Sequence, residues 1–241
     1  MAIDFYRSEG DPCCWRVALA LEFKHLPYVS HALQLDLQEH KSPQMLALNF
    51  RGQLPVLRDQ DYVVFESLAI LYYLDRKYPD PPIFGRTPEE SGVIMRVICE
   101  YQSYAEPPLK RITASLLEDG HEIGHRRDER GAREFRESRA GNGQTVGESL
   151  AEAMHRVAGE ARTIEQRLAR SDWVVGESFS AADMVIYPDV RLLLHALQRP
   201  AAHELAARFL PTESNYPAIG RWLERVAALP GHERTWPRHW R

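Results

Sequence analysis

The chain has 241 residues, of which 44% are hydrophobic and 27% are charged, and its formal net charge is -4. This length and mixture suit one large domain or two smaller ones and exclude a disordered or collagen-like chain. The weak negative charge indicates no general attraction to nucleic acid or anionic lipid, and no run approaches the ~18 apolar residues of a membrane span. We therefore expect neither nucleic acid nor a membrane as a partner.

The cysteines and the amino terminus bear on the cellular compartment. The three cysteines are Cys13, Cys14 and Cys99. Two of them are adjacent and one would be left over, so a disulfide framework is disfavoured. The sequence that follows Met1 lacks the basic and apolar segments of a secretory signal. These features predict a cytoplasmic protein with reduced thiols.

The first eighty residues predict a small sheet covered by helices. Asp11 is a good N-cap and Pro12 a good first residue for a helix. Apolar periodicity predicts strands at 3–6 and 28–35, helices at 12–24, 42–48 and 66–77, and a hairpin with its turn at 59–61. The resulting order βαβαββα predicts an α/β domain over residues 1–80. The proline-rich stretch after it predicts a boundary at 79–86.

Beyond this boundary the sequence predicts an all-helical domain over residues 87–241. Residues 87–90 (TPEE) form a capping box, and the prolines at 107–108 should bend or interrupt the helix that it starts. Ser180 and Asp183 form a second capping motif. Strong helices are expected at 150–168, 181–197 and 216–229, and an exposed charged insertion is expected at 118–147.

Four motifs in the sequence resemble those of a known protein family. They are CCWRV at 13–17, NFRGQLPVL at 49–57, FESLAI at 65–70 and SAAD at 180–183. In this order they resemble the soluble glutathione transferases over essentially the whole chain, most closely the rho class, with zeta-like and beta-like features at 13–17. The resemblance implies a thioredoxin-like amino-terminal domain, an all-α carboxy-terminal domain, a homodimer, glutathione as co-substrate, and no metal.

The resemblance also implies which residues bind glutathione. The main chain of Leu54, before a cis Pro55, pairs with the cysteinyl part of the peptide like an added strand. Ser67 lies in the first turn of a helix and can hold the γ-glutamyl carboxylate, while Glu66 can pair with the ammonium group. The glycyl carboxylate is expected to meet three polar residues: His40, Lys41 and Gln53.

The residue that stabilises the glutathione thiolate is less clearly indicated. The family holds this sulfur at the amino end of the first helix, where Cys13 matches the cysteine of the beta and zeta classes. Other classes carry serine or cysteine where this chain has Asp11, and an ionised carboxylate cannot donate a hydrogen bond to a thiolate. Cys13 is therefore the leading candidate, with Ser8 as the alternative hydroxyl and Arg16 as a cation able to lower the pKa of a nearby thiol. Cys14 is expected to pack inward.

The second substrate is expected to be a small hydrophobic electrophile bound between the two domains. Its pocket is predicted to involve the first-helix turn and four further residues, Tyr101, Tyr104, Arg111 and Trp236. These residues do not identify the electrophile.

Three other functions remain open. Cys13 could exchange disulfides with glutathione, although it lacks the partner of a C-x-x-C reductase. The fold could also serve as a non-catalytic module that binds glutathione or another protein. Finally, His121, Glu122 and His125 match the H-E-x-x-H pattern of zinc hydrolases. This motif lies in a charged stretch without an apolar face, so we expect no zinc there.

Overall fold

The computed structural model describes residues 3–117, 149–210 and 212–240. Its first part contains a four-stranded sheet with the strand order β2-β1-β3-β4. The strands are β1 (Ile3–Arg7), β2 (Tyr28–Ala32), β3 (Val56–Asp59) and β4 (Tyr62–Phe65). β1 is parallel to β2, whereas β3 is antiparallel to both β1 and β4. The carboxyl ends of β1 and β4 and the start of β3 therefore meet at one end of the sheet.

Three helices connect these strands: α1 (Pro12–Phe23), α2 (Pro43–Leu48) and α3 (Ser67–Lys77). The predicted order βαβαββα is confirmed. Asp11 caps α1 as expected, because its Oδ1 accepts a hydrogen bond from the Cys14 N–H at 2.8 Å. The strand predicted over 28–35 is too long, because β1 ends at Arg7, which pairs with Ala32 and accepts a last backbone bond from the Leu33 N–H at 2.8 Å.

The second part begins with α4 (Pro88–Glu100), which has the predicted capping box between Thr87 and Glu90. A π-helical turn (Tyr101–Ala105) then leads into α5 (Glu106–Leu116). The interruption expected near residues 107–108 is a π turn just before the two prolines. It occurs there because prolines have no N–H groups for the usual helical hydrogen bonds.

The remaining helices complete the second part. They are α6 (Leu150–Leu168), α7 (Ala181–Ala196), α8 (His203–Ala206), α9 (Thr212–Asn215), α10 (Pro217–Ala227) and α11 (His232–Thr235). The long helices lie where the sequence predicts them, with ends that differ by no more than two residues. Within the part of the chain that the structure describes, no helix is long and apolar enough to cross a membrane.

The two parts are joined by buried contacts of α1. Its Trp15 donates a hydrogen bond from Nε1 to Thr235 Oγ1 at 2.8 Å. Lys24, directly after α1, donates from Nζ to the Tyr78 and Pro81 carbonyl oxygens at 2.7 and 2.6 Å. These bonds fix the first helix against both the connecting segment and the carboxy-terminal tail.

Candidate functional site

Most of the predicted glutathione residues lie at the end of the sheet where β1, β3 and β4 meet. The Leu54-Pro55 peptide bond is cis, as expected. Val56 pairs with Phe65 across β3 and β4 and with Tyr6 across β3 and β1. The residues just outside these pairs are therefore neighbours. They are Ser8 after β1, Leu54 and Pro55 before β3, and Glu66 and Ser67 after β4.

The start of α3 has the features of an anion site. Ser67 is the first residue of this helix and is 9% exposed. The first N–H groups of a helix lack intrahelical partners and favour negative charge. Glu66 precedes it with φ 70° and ψ 116°, and its side chain makes no capping bond. Such a backbone conformation is unfavourable for a side-chain-bearing residue and is characteristic of functional sites.

The loop before β3 is organised by Asn49, a residue to which sequence reasoning gave no role. Its Nδ2 donates to the Gln53 carbonyl oxygen at 2.9 Å, and its Oδ1 accepts from the Arg51 N–H at 3.1 Å. Lys41 packs over this loop, where its Nζ donates to the Arg51 carbonyl oxygen at 3.1 Å. Gly52 has φ 55°, and a Cβ there would lie 2.7 Å from Lys41 Cδ. The structure thus brings Lys41 and Gln53 to the same loop, with His40 beside Lys41 in a short 3₁₀ helix.

At the amino end of α1, the candidate catalytic side chains differ in their exposure to solvent. Cys13 is partly exposed, whereas Cys14 is buried. Burial, followed by the charge of Asp11, raises the pKa of Cys14. Ser8 is 3% exposed, and its hydroxyl lies 4.0 Å from Cys14 Sγ. Cys13 is therefore the accessible thiol at this helix terminus, while Ser8 is directed toward the buried neighbour.

Arg16 is buried and lies within electrostatic reach of Cys13: burial lowers its pKa, but the negative charges of Asp189, the Cys13 thiolate and Glu106 outweigh burial and raise it. Its side chain is 2% exposed, and its Nη2 donates to Glu106 Oε1 and to Asp189 Oδ2 at 2.7 Å each. Tyr101 donates from its hydroxyl to the same Asp189 oxygen at 3.0 Å. These carboxylates pair with the guanidinium, so Arg16 joins the two halves of the chain, and its effect on the thiol of Cys13 stays a prediction. Tyr101 is correspondingly a buried core residue.

A second cation near Cys13 was not singled out from the sequence. Lys110 Nζ lies 3.2 Å from Glu106 Oε1. Burial lowers the pKa of Lys110, but the negative charges of Glu106, the Cys13 thiolate and Asp189 outweigh burial and raise it. Lys110 is thus within electrostatic reach of Cys13. In the sequence, its orientation was indicated only by the four-residue spacing from Glu106, which places the two side chains on the same face of a helix.

The other residues predicted for the electrophile pocket do not converge on one surface. Tyr104 is 59% exposed. Arg111 lies near the start of α6. Hydrogen bonds from Ser149 lower the pKa of Glu152 there, and the positive charge of Arg111 lowers it further. Trp236 packs edge-on against Trp15, with ring centroids 5.5 Å apart. These side chains therefore have different surroundings, and their role in an electrophile pocket stays a prediction.

The H-E-x-x-H motif and the charged insertion predicted at 118–147 lie outside the described residues. Among residues 3–117, 149–210 and 212–240, no group of three or more His, Cys, Asp or Glu side chains could hold a metal ion.

Comparison with known proteins places this chain in a family. The family models described as Glutathione S-transferase, N-terminal domain and Glutathione S-transferase, C-terminal domain match residues 5–82 and 132–230. The maleylacetoacetate isomerase of Pseudomonas aeruginosa is 30% identical over 240 residues, which cover 97% of this chain and 93% of that protein. The chain belongs to the glutathione S-transferase family, as its motifs led us to expect.

Two further relatives refine the comparison. A zeta-class glutathione S-transferase of Euphorbia esula is 39% identical over 79 residues, or 33% of this chain and 34% of that protein. This match agrees with the zeta-like features of the sequence. A glutathione transferase family member from Pseudomonas fluorescens, solved with two glutathione molecules bound, has a TM-score of 0.72 at 20% identity and covers 98% of this chain and 92% of that one. The latter match confirms the thioredoxin-like and helical fold.

Proposed function

We propose that this glutathione transferase binds glutathione where β1, β3 and β4 end, and presents its sulfur to Cys13 at the start of α1. The observation that carries the proposal is the convergence of Leu54-Pro55, Glu66-Ser67 and the α1 terminus at one end of the sheet. The main chain before a cis proline, a helix terminus and a partly exposed thiol together match an extended peptide that carries a carboxylate and a sulfur.

Each end of glutathione has a complementary group in this arrangement. The main chain of Leu54 pairs with the cysteinyl residue, and the N–H groups and hydroxyl at Ser67 hold the γ-glutamyl carboxylate. Glu66 meets the ammonium group of the same residue. The glycyl carboxylate lies toward the loop that contains Gln53 and that Lys41 contacts, with His40 beside Lys41.

In the proposed reaction, the thiol of Cys13 donates a hydrogen bond to the glutathione thiolate, and the positive end of α1 and Lys110 favour the charged form. The thiolate then attacks an electrophilic carbon, a sulfur–carbon bond forms, and the leaving group departs with the electron pair of the bond that breaks. The electrophile enters between the two halves of the chain, near the α1 turn. We also propose a cytoplasmic, detoxifying role, consistent with a site that activates glutathione for general electrophiles.

Glutathione binding is tested most directly at Ser67. We expect Ser67→Ala to weaken glutathione binding about tenfold, measured by isothermal titration calorimetry, because the carboxylate loses a charge-assisted hydrogen bond. Ser103 is an exposed serine in the π turn, so Ser103→Ala is the matched control and should bind as the wild type does. Equal affinities for all three proteins would contradict the proposed site.

The role of Cys13 is tested by turnover. We expect Cys13→Ala to lower kcat with 1-chloro-2,4-dinitrobenzene by about tenfold or more, with the affinity for glutathione nearly unchanged. Cys13→Ser keeps a hydrogen-bond donor and should retain more activity than the alanine variant. The exposed Cys99 provides the control variant Cys99→Ala. Unchanged turnover in Cys13→Ala would exclude this thiol from the reaction.

The partial exposure of Cys13 at a helix amino terminus also favours a second function, thiol–disulfide exchange. The Cys13 thiolate would attack a sulfur of oxidised glutathione, form a mixed disulfide and release one glutathione thiolate. Intact mass and peptide mapping after incubation with oxidised glutathione distinguish the two functions. An adduct confined to Cys13 supports exchange, whereas an unmodified Cys13 with glutathione still bound supports conjugation alone.

We further propose that the protein is a homodimer. Phe50 lies in the loop after α2 and is 71% exposed, with the Arg51 guanidinium 5.0 Å from its ring centre. A large exposed aromatic side chain on an ordered loop is typical of an interface anchor. Sedimentation equilibrium measures the association state, and a monomer across the micromolar range would contradict the proposal.

A further inference from the structure

The loop between α2 and β3 is closed around one buried residue, Asn49. This residue follows α2 directly and is 2% exposed. Its N–H donates to the Met45 carbonyl oxygen of α2 at 2.8 Å, and its own carbonyl oxygen accepts from the Gly52 N–H, also at 2.8 Å. The main chain of Asn49 is therefore bonded to α2 on one side and to the loop on the other.

The carboxamide of Asn49 adds one hydrogen bond through each of its polar atoms. Nδ2 donates to the Gln53 carbonyl oxygen at 2.9 Å, whereas Oδ1 accepts from the Arg51 N–H at 3.1 Å. One partner can only accept and the other can only donate, so together they determine the orientation of the amide. Aspartate in this place would keep the bond to Arg51 but would present a second acceptor to the Gln53 carbonyl oxygen. Among side chains of this size, only asparagine meets both partners.

The bond to Gln53 also determines the direction of the next N–H group. The described chain has two cis peptide bonds, and the bond between Gln53 and Leu54 is not one of them, so it is trans. In a trans peptide unit, the carbonyl oxygen and the following N–H point in opposite directions. Because Asn49 holds the Gln53 carbonyl oxygen, the Leu54 N–H points away from Asn49.

The other hydrogen bonds that the structure describes in this loop involve residues that precede Gln53. Lys41 donates to the Arg51 carbonyl oxygen, and Gly52 donates to the main chain of Asn49. Loss of the carboxamide therefore frees the Gln53-Leu54 peptide unit to rotate, while the rest of the loop stays anchored.

We propose that Asn49 is a positioning residue for glutathione, because it directs the Leu54 N–H toward the carbonyl oxygen of the cysteinyl residue. This role rests on the proposed function, in which the main chain of Leu54 pairs with that residue. A rotated peptide unit would present an oxygen to the oxygen of the ligand, and no hydrogen bond could form. A loop that is held in this orientation before glutathione arrives also loses less conformational freedom on binding.

Asn49→Asp tests this role with a change of nearly equal size. We expect the dissociation constant of glutathione to rise about tenfold or more, measured by isothermal titration calorimetry, because two acceptors then face each other at Gln53. Asn49→Ala removes the same bond without adding a charge and should weaken binding to a similar extent. Asn215 is exposed in α9, so Asn215→Asp is the matched control and should bind glutathione as the wild type does.

The titrations distinguish this role from the proposed function on which it rests. A wild-type protein that binds no glutathione contradicts the proposed function itself. A wild-type protein that binds glutathione, with equal affinity in both folded Asn49 variants, overturns only the role of Asn49.

Kinetics separate positioning from a general loss of structure. For the Asn49 variants we expect KM for glutathione to rise about tenfold, while kcat at saturating glutathione and KM for 1-chloro-2,4-dinitrobenzene stay within about twofold of the wild-type values. A fall in kcat with an unchanged KM for glutathione would contradict the positioning role.

A measurement on the unchanged protein does not depend on the folding of a variant. By linkage, a hydrogen bond that favours glutathione binding is itself favoured when glutathione is bound. Solvent exchange of the side-chain amide protons of Asn49, followed by NMR, should therefore slow by about the same tenfold factor at saturating glutathione. The amide proton of Leu54 should also shift downfield as it gains a hydrogen bond. Unchanged exchange at Asn49 or an unshifted Leu54 amide would overturn the proposal.

Discussion

Two adjacent cations on α5 differ in what they face. Consecutive residues of a helix point about 100° apart, so Lys110 and Arg111 reach different surroundings. Lys110 is paired with Glu106 and lies within electrostatic reach of Cys13. Arg111 instead interacts with Glu152 at the start of α6. Both are charged helix residues in the sequence, and only the ion pairs that join Lys110 to Glu106 and Glu106 to Arg16 of α1 show which one bears on the thiol.

The position of Lys110 makes a prediction about pH dependence. Removing its charge in Lys110→Met should raise the apparent pKa of the bound glutathione thiol, because a nearby cation favours the thiolate. We expect kcat/KM to fall about threefold to tenfold at pH 6.5, and to fall less at pH 8.5, where the thiol ionises without help. The measurement is a pH profile of the conjugation rate.

Arg111→Met is the matched control for this experiment, since it removes the same charge from the neighbouring position. Its pH profile should superimpose on that of the wild type. Equal loss at both pH values in Lys110→Met would assign this lysine a structural role and not an electrostatic one.

At the scale of the elements, the start of α7 depends on a single carboxylate. Asp183 Oδ2 accepts from the N–H and hydroxyl of Ser180 at 3.0 and 2.9 Å. Its Oδ1 accepts from the Val174 N–H at 3.0 Å and from Trp222 Nε1 at 2.9 Å. Burial raises the pKa of Asp183 to about 6 despite these bonds. One side chain therefore fixes α7, the segment before it and α10.

We expect Asp183→Asn to lower the free energy of unfolding by about 2–4 kcal/mol, because an amide nitrogen replaces an acceptor of two buried hydrogen bonds. Urea titration measures this loss. Asp172 is largely exposed, with a side chain 73% accessible, so Asp172→Asn should change the stability by less than about 0.5 kcal/mol. A similar small effect at both positions would show that the network of Asp183 tolerates an unpaired donor.

These elements also show what could be predicted from the sequence. Helix starts were predictable because caps such as Asp11, Thr87 and Ser180 with Asp183 act over three residues of sequence. The family motifs likewise indicated the cis Pro55 and the position of Ser67. The end of β2 was not predictable, since it depends on where β1 stops. The burial of Arg16 and Tyr101 depends on carboxylates 88 or more residues away in sequence, and no local pattern reveals such partners.

At the scale of the whole molecule, the carboxy-terminal tail ties the helical half back to the first. Arg234 forms an ion pair with Glu22 of α1, and the Arg238 N–H donates to Glu9 at 3.1 Å. His232 lies beneath this tail, with Nε2 2.8 Å from the Tyr187 hydroxyl. The aromatic rings around Trp15 complete the contact. The docking of the tail is therefore coupled to a buried imidazole.

That coupling predicts a loss of stability in acid. Burial, assisted by the charge of Arg191, lowers the pKa of His232 to about 4. An unfolded histidine titrates near pH 6.5, so between these values the unfolded chain binds a proton that the folded chain does not. The contribution of His232 is complete at pH 7 and declines as the pH falls from about 6.5 to about 4, with a loss of about 2 kcal/mol at pH 5.

His232→Gln should reduce this acid-induced loss, because glutamine keeps a hydrogen-bonding group and does not titrate in this range. Urea titrations at pH 7 and pH 5 measure the difference for each protein. His155 is exposed on α6, and His155→Gln should keep the full loss seen in the wild type. If His232→Gln and the wild type lose equal stability between the two pH values, another group is responsible and the tail is not held by a neutral imidazole.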